Sequence, residues 1–251
     1  MHEQRHLQSP LTFRSAGSML GAAYDCLHYC ESQMNIELNA HQQNPLALME
    51  EDCMLPCGNF DMQPVAQCMD FLKLALAPCL TSQTERSIKL LQKRDNGLTD
   101  GLIFQGEDCA TGLGFSGLAW TLQNISTEAR LMAVQAVSAE VGSSSQAESV
   151  EDRMTMAGLG ARKVREFVQL ALKCVSISTI IACQAIDVRG SKLNGALQAV
   201  HTRVREYVPV MKVGQPPPVK YVNDLIDALQ VGSEVLVGGG GGSGSVLRSK
   251  L

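Results

Sequence analysis

The chain has 251 residues, a net charge of −4, 45% hydrophobic residues and only 4% aromatic residues. A core of this composition is aliphatic and favours helix over sheet. The absence of a basic block argues against nucleic-acid binding, and no uncharged apolar run reaches the length of a membrane span. Residues 1–6 lack the apolar centre of a signal peptide, so we do not expect secretion.

The first half of the chain predicts two main helices separated by irregular segments. Apolar residues recur there at helical spacing, and proline, asparagine and glycine mark the breaks. The predicted elements are a helix from 18 to 37, a turn at Asn44-Pro45, a loop from 50 to 59, a helix from Pro64 with a kink at Pro78, and a closing turn at 95–97.

The second half predicts helices at 117–122, 127–141, 153–189, 193–208 and 221–229, with a hydroxyl-rich loop from 142 to 149. Gly190 is expected to end the longest helix. Apolar spacing on that helix predicts a single buried stripe, in which Ser178 is the one polar residue. The stripe consists of Val164, Phe167, Val168, Ala171, Val175, Ala182 and Ile186.

The nine cysteines have no regular disulfide spacing and no Cys-x-x-Cys pair. Cys68, Cys79, Cys174 and Cys183 lie within apolar patterns, so we interpret them as small buried residues in a reducing compartment. Two groups come nearest to a metal site: Cys26, His28 and Cys30, and Cys53 with Cys57. Helical spacing turns His28 away from the two cysteines beside it, and we therefore expect no metal.

These elements predict an all-α fold, a long antiparallel helical bundle over residues 1–235. Residues 236–251 predict a flexible tail, because 238–244 is glycine apart from Ser243. The tail ends in Ser249, Lys250 and Leu251, a peroxisomal address that its receptor reads at a free C-terminus. An artificial linker is the alternative origin of the glycine tract, and it would remove this argument.

Four groups of residues occur in an order and spacing that resemble a known family. They are Leu7–Arg14; Ile36–Asn39 with Asn44–Leu46; Gly58–Phe60 with Pro64, Met69–Leu72 and Ser82–Arg86; and the segment Gly142–Asp187 with its Glu151-Asp152 pair. Together they resemble the C-terminal half of the histidine and aromatic amino acid ammonia-lyases, from about Leu7 to Leu229. The resemblance implies the C-terminal part of the fumarase/aspartase-like histidine ammonia-lyase fold.

The resemblance also implies roles for individual residues in substrate binding. Arg14 matches an arginine that holds the substrate carboxylate, and Gln8 matches a glutamine of the pocket. Phe60 matches an aromatic wall with Asn59 beside it, and Glu151 matches the acid that faces the imidazole or amine in the histidine branch. Each has a simpler interpretation: Arg14 as a surface arginine, Phe60 as ordinary core, and Glu151 with Asp152 as a helix cap.

Several departures from the family pattern bear on catalysis. Leu11 stands in place of the catalytic tyrosine and cannot act as a base. The family electrophile, a methylidene-imidazolone ring, forms from Ala-Ser-Gly, and this tripeptide is absent from the chain. Ser9 replaces an aspartate of the family motif, and Ala110 falls near a family asparagine. On either side of the Glu-Asp pair, Val150 replaces a glutamine or threonine and Arg153 replaces a histidine. We expect about half of a standard lyase to be missing.

Two hypotheses follow from the resemblance. In the first, the chain is a partial or split subunit of an enzyme that eliminates ammonia from L-histidine to give urocanate, and it is inactive alone. In the second, it is a non-catalytic scaffold that oligomerises with an intact lyase. Both predict a tetramer-type homo-oligomer, or a hetero-oligomer with a full-length or N-terminal lyase chain. An amino acid is the expected ligand. The tail implies a peroxisome or a glycosome-like organelle, and without this address we expect the cytoplasm.

Overall fold

The computed structural model describes residues 8–104, 114–139, 150–212 and 220–236. Within these ranges the chain forms eight α-helices, one 3-10 turn and one hairpin. In chain order they are α1 (Leu11–Arg14), α2 (Ala16–Leu38), β1 (Leu46–Leu48), β2 (Cys53–Leu55), α3 (Gln63–Leu90), α4 (Lys93–Asn96), the 3-10 turn Asp100–Leu102, α5 (Ser116–Ala133), α6 (Ala157–Arg189), α7 (Gly195–Tyr207) and α8 (Lys220–Leu236). The predicted all-α helical fold is confirmed.

The centre of the bundle consists of α3, α5 and α6, and α2 packs on α3. The core side chains of α6 include Phe167, Ile177, Ile180 and Ile181, each no more than 2% exposed. Burying a side chain of this size stabilises a fold by about 1.5–3 kcal/mol. Packing on α6 is therefore a main source of stability, as the aliphatic composition predicts.

Contacts at the two ends show how the central helices run. Near its start, α6 approaches α3 so closely that a Cβ on Gly160 would lie 3.1 Å from Met69 Cβ. At its other end, the last residue of α6 donates a hydrogen bond to the Asn96 carbonyl just beyond α3 (3.2 Å). Lys73, in the first half of α3, donates to the Gln135 carbonyl after α5 (2.9 Å). Thus α3 and α6 run in the same direction and α5 runs against both.

The helices of the first half agree with prediction, whereas the hairpin was missed. α2 contains the predicted helix 18–37, and α3 begins one residue before Pro64 and continues through Pro78. The loop predicted for residues 50–59 is wrong at β2, where Leu55 pairs with Leu46. A strand of three residues is too short to show the alternation on which strand prediction depends.

A single helix, α5, replaces the two predicted between 117 and 141. Serine, threonine and asparagine around Ser126 have low helix propensity and favour a break. Yet Ser126 is buried and Ala129 is fully buried, because α5 packs against both α3 and α6. Packing of a helix outweighs the propensity of its residues. The helix ends at Ala133, and residues 134–139, called here the post-α5 segment, have contacts with α3 instead.

The longest helix starts later than predicted, at Ala157 rather than Arg153, and its first turn contains no acidic residue. Glu151 and Asp152 therefore lie in residues 150–156, called here the pre-α6 segment, and their interpretation as a helix cap is wrong. The predicted C-terminus is confirmed, because Gly190 follows the helix with φ +65°. α8 continues past its predicted end at Leu229 to Leu236.

The buried side of α6 is wider than the predicted stripe. Val168 is 37% exposed, and of the predicted stripe only Phe167 and Ser178 are buried. The buried residues are Gly160, Phe167, Leu170, Cys174, Ser176, Ile177, Ser178, Ile180, Ile181, Cys183, Gln184 and Ala185. The helix contacts α3, α5, α7 and α8. Spacing alone selects one face of a helix, and here more than one face is covered.

By length and composition, α6 would also suffice to cross a membrane. Apolar residues of α6 such as Phe167 and Ile180 are buried in the bundle, and a core helix has this same composition. Three predicted features lie outside the described residues: the 142–149 loop, Ala110, and the tail with Ser249, Lys250 and Leu251. The peroxisomal address therefore stays a prediction.

Candidate active site

The N-terminal group of predicted site residues lies beside the second half of α3. Ser82 Oγ and Arg86 Nη1 both donate hydrogen bonds to the Thr12 carbonyl, at 3.3 and 2.9 Å. Arg86 Nη1 also lies 2.9 Å from Ser82 Oγ. Because α1 has only four residues and buries none of them, these bonds from α3 hold it in place.

Arg14 is exposed, and its Nε donates to the Ser9 carbonyl at 2.7 Å. This bond fixes the base of the guanidinium, while its outer nitrogens have no described partner among residues 8–104, 114–139, 150–212 and 220–236. A fork of this kind binds a carboxylate with two parallel hydrogen bonds. Gln8 is also exposed, in the segment leading into α1. Carboxylate binding by Arg14 stays a prediction.

Leu11 is 66% exposed and lies at an open, mainly apolar groove of about 590 Å³ between α1, α3 and the end of α5. The lining residues are Leu11, Thr12, Ser15, Met19, Leu74, Ala77, Pro78, Thr81, Ser82, Glu85, Arg130, Ala133 and Val134. An alkyl side chain neither accepts nor releases a proton, so residue 11 cannot perform the base chemistry of the family tyrosine.

The second group of predicted residues lies at the start of α3. Asn59 and Phe60 are exposed in the turn before this helix, and Phe60 is 46% exposed. The interpretation of Phe60 as core is therefore wrong. Glu151 is also exposed, in the pre-α6 segment. An ion pair between Arg153 and Asp61 brings the two segments together.

The two carboxylate oxygens of Asp61 connect the Asn59-Phe60 turn to the start of α3 and to the pre-α6 segment. Oδ1 accepts a hydrogen bond from the Gln63 backbone N–H at 2.9 Å, at the start of α3. Oδ2 accepts a hydrogen bond from Arg153 Nε. The hydrogen bond from Arg153 is the largest effect and lowers the pKa of Asp61; burial opposes it, and the Gln63 N–H adds a smaller lowering effect. Asp61 is therefore ionised and paired at neutral pH.

A buried ion pair binds the post-α5 segment to α3. Lys73 is 0% exposed and Asp70 is 3% exposed. Lys73 Nζ lies 3.1 Å from Asp70 Oδ1, a contact that is an ion pair without the alignment of a hydrogen bond. Asp70 Oδ2 accepts hydrogen bonds from the N–H groups of Val137 and Ser138, at 2.9 and 2.8 Å. Burial raises the pKa of Asp70, but the hydrogen bond from Ser138 and the ion pair with Lys73 outweigh it, and the net pKa is lowered.

The two predicted groups do not form one pocket within this chain. The Thr12 carbonyl accepts a hydrogen bond from Ser82, whereas Asp61 accepts one from Gln63 at the start of the same helix. Nineteen residues of helix separate the two positions, which at 1.5 Å per residue is about 28 Å. One amino acid cannot reach both Arg14 and Glu151 across this distance.

The residues that hold the predicted site segments in place were not identified from the sequence. The family resemblance implies no role for Asp70, Lys73 or Gln63, and Arg153 is only a departure from the family pattern. An Asp and a Lys three residues apart in an apolar helix are the one signal that could have identified the buried pair. Such residues are almost never fully buried unless they are paired.

The cysteines follow the predicted pattern of small buried side chains. Cys68, Cys79, Cys174 and Cys183 are buried, and so is Cys30. The Cys30 thiol donates to the Cys68 carbonyl at 3.5 Å, and burial raises its pKa to about 12, with Cys68 contributing. Among the described residues, no group of three or more His, Cys, Asp or Glu side chains has the arrangement of a metal site.

Comparison with known proteins gives the family. Residues 1–206 match the family model described as aromatic amino acid lyase. The chain belongs to the aromatic amino acid lyase family. A histidine ammonia-lyase of Alkaliphilus oremlandii is 29% identical to this lyase-family chain over 238 residues, which cover 91% of the chain and 46% of that protein. One of Fusobacterium nucleatum is 27% identical over 213 residues, covering 84% and 40%.

Solved structures share the fold of this lyase-family chain. A tyrosine aminomutase from Streptomyces globisporus superimposes with a TM-score of 0.83 at 24% identity, covering 94% of this chain and 44% of that chain. A histidine ammonia-lyase from Trypanosoma cruzi superimposes with a TM-score of 0.82 at 21% identity, covering 97% and 50%. The lyase-family chain spans about half the length of the curated relatives it matches.

Proposed function

We propose that this chain supplies the substrate-holding part of an ammonia-lyase site for histidine or a related amino acid, and that it is not active alone. The observation that carries the proposal is the separation of about 28 Å along α3 between the segment of Leu11 and Arg14 and that of Phe60 and Glu151. Two binding groups so far apart serve one substrate only when different copies of the bundle bring them together. The family's composite sites, made from several subunits, are of this kind.

In such a site the residues of this chain bind and orient. Arg14 holds the substrate carboxylate through its outer nitrogens. Glu151, from another copy, accepts a hydrogen bond from an imidazole or amine N–H, and Phe60 with Asn59 forms the adjoining wall. A carboxylate at this position favours histidine over a plain phenyl side chain. Leu11 contributes only an apolar surface, so the base that removes the β-proton belongs to another chain.

The family electrophile does not fit the residues of this chain. It forms from Ala-Ser-Gly, and none of the 251 residues belongs to such a tripeptide. When present, the ring activates the substrate amine as a leaving group. A polypeptide segment carrying Ala-Ser-Gly must therefore join the bundle for ammonia release, as a separate chain or as further sequence of the same gene.

The test is reconstitution with a lyase polypeptide that contains Ala-Ser-Gly. We expect no urocanate from the chain alone and urocanate from the verified complex, followed by its ultraviolet absorbance. Arg14→Ala should raise the KM for histidine about tenfold to a hundredfold, the equivalent of losing a charge-assisted hydrogen bond. A pure, verified complex without turnover would refute the proposal.

A second function, that of a non-catalytic scaffold, is favoured by the apolar outer side of α2. Leu20, Tyr24 and Leu27 follow one another at helical spacing and are each more than 50% exposed. An apolar patch of this kind marks an interaction surface. The scaffold predicts association with an intact lyase and unchanged turnover.

The variant Leu11→Tyr separates the two functions. In a shared active site, the restored hydroxyl should increase turnover of the complex, because a family member uses tyrosine as the base there. In a scaffold, Leu11→Tyr should leave turnover unchanged, while Leu27→Asp should weaken association. Size-exclusion chromatography with light scattering gives the assembly state of each variant.

A further inference from the structure

We propose that Asp61 and Arg153 are positioning residues for Glu151, because their ion pair holds the pre-α6 segment against the Asn59-Phe60 turn. The inference rests on the proposed binding role of Glu151. It adds two residues that touch neither the substrate nor the reacting atoms. Their effect is to set where the Glu151 carboxylate lies relative to Phe60.

Apart from an isolated backbone bridge at Glu151, the pre-α6 segment has little regular structure to hold it. Residues 152–156 lie outside helices and strands, and α6 starts only at Ala157. Residues 150–154 are all exposed, so burial does not hold this end of the segment. The bond from Arg153 to Asp61 is the one described side-chain hydrogen bond of residues 150–156 to another part of the chain.

Asp61 is suited to be the fixed member of the pair. Its other oxygen accepts the Gln63 N–H at 2.9 Å, which ties it to the first turn of α3. Its own position is one residue after Phe60. The guanidinium therefore binds the residue that directly follows Phe60 in the chain, and Glu151 lies only two residues before Arg153.

The same end of α3 also anchors the post-α5 segment. Gln63 Nε2 donates to the Ser138 carbonyl at 2.6 Å, and Asp70 accepts the Ser138 N–H at 2.8 Å. Residues at the start of α3 and just before it thus bind both the post-α5 segment and the pre-α6 segment. Removing the Arg153–Asp61 ion pair therefore leaves the hydrogen bonds to Ser138 intact and releases only the pre-α6 segment, which carries Glu151.

Arg153 is a departure from the family pattern, which has a histidine here. An arginine keeps its charge throughout the pH range in which Asp61 is ionised, and it reaches farther than an imidazole. The exposed charges of such a pair contribute little to the stability of a fold. The expected consequence is therefore a change in geometry, and the readout must be a distance and a KM.

The first experiment measures the distance between the two segments without any need for turnover. Spin-labelled amino acids are encoded at Gly58, where a side chain meets no atom within 4 Å, and at Val150, which is 77% exposed. We expect a single narrow distance distribution for the otherwise native chain and for Arg153→Lys. We expect a distribution at least about twice as broad for Arg153→Met. An unchanged distribution in Arg153→Met would overturn the proposal.

The matched control is Lys163→Met, which also removes one cation from an exposed ion pair, that with Glu166 at 3.5 Å. It lies on α6 and should leave the distance distribution narrow. Broadening in Lys163→Met equal to that in Arg153→Met would show a general effect of lost charge and would also overturn the proposal.

The second experiment uses the reconstituted complex with histidine as the probe. Arg153→Met should raise KM about tenfold or more, since small displacements of binding groups have effects of this size, and Arg153→Lys should recover part of it. In a Glu151→Gln background, Arg153→Met should have no further effect on KM. Independent, multiplicative effects would show that Arg153 does not act through Glu151 and would overturn the positioning role.

The two proposals fail in different ways. Absence of turnover in the native complex refutes the proposed function, while the spin-label distances still decide whether the ion pair holds the segment. Normal turnover with unchanged distances refutes the positioning role alone.

Discussion

Replacing Lys73 with methionine should lower the free energy of unfolding by about 3 kcal/mol. Lys73 is fully buried, with Nζ 3.1 Å from Asp70 Oδ1 and 2.9 Å from the Gln135 carbonyl. Methionine fills a similar volume, so the loss is mainly electrostatic. Removing one partner of a buried ion pair costs about 3–5 kcal/mol. Asp70 keeps the N–H groups of Val137 and Ser138, which places the expected loss at the lower end.

The assay is urea unfolding followed by far-ultraviolet circular dichroism at a constant protein concentration, because association would add to the apparent stability. Trp120, the one tryptophan, is 63% exposed, so its fluorescence is a poor reporter of core unfolding. A loss of about 3 kcal/mol moves the midpoint by roughly 1 M or more. Lys163→Met is the control, with an expected change within about 0.5 kcal/mol.

The pH dependence gives the sharper test. The folded pKa of Asp70 is lowered from its ordinary value of 3.8. Its contribution to stability is therefore complete above the unfolded pKa and is lost as the pH falls through the folded pKa. The difference between the native chain and Lys73→Met should be full at pH 7 and should shrink below about pH 4. A loss under about 1 kcal/mol at pH 7, or an equal loss at pH 3, would refute the reasoning.

Three further predictions concern other parts of the fold. Gly114→Ala should lower the free energy of unfolding by about 2–4 kcal/mol, because the new Cβ would lie 2.5 Å from the Gly101 carbonyl oxygen and Gly114 has φ +53°. Gly97→Ala is the control: Gly97 has φ +74° but lies in open space, so the substitution should cost only about 1 kcal/mol. Equal losses in the two variants would contradict the steric explanation. Cys53 is exposed and should react with a thiol reagent in the folded chain, whereas burial holds the pKa of Cys30 at about 12 and should delay its reaction until unfolding; peptide mapping that finds Cys30 modified first would show this to be wrong. Arg86→Met removes the 2.9 Å bond to the Thr12 carbonyl and should speed tryptic cleavage after Arg14 several-fold, and an unchanged rate would mean that α1 is held by other contacts.

Local features of the chain were well predicted from the sequence because their causes are local. α2 and α3 appear where apolar residues recur at helical spacing, and Gly190 ends α6 because a glycine adopts positive φ without strain. The family resemblance depends on short motifs in order, and it was confirmed. The loss of base chemistry at Leu11 follows from the side chain itself and needs no structure.

Errors arose where packing between distant segments decides the outcome. α5 is continuous through Ser126 because α3 and α6 cover it, and this outweighs the low propensity of its polar residues. The start of α6 was placed too early, since the acidic pair at 151–152 resembles a cap. In the structure that stretch is held by Arg153 and Asp61, 92 residues apart in the chain.

The sequence by itself determined the family, the helical class of the fold, and that the side chain of Leu11 cannot transfer a proton. Only the tertiary structure decided that the segments of Arg14 and Glu151 lie beside opposite halves of α3, and that Asp70 and Lys73 are buried as a pair. The physical reason is that side-chain chemistry and helical periodicity are properties of neighbouring residues. Distances and burial depend on how α3, α5 and α6 are packed, and in which direction each runs.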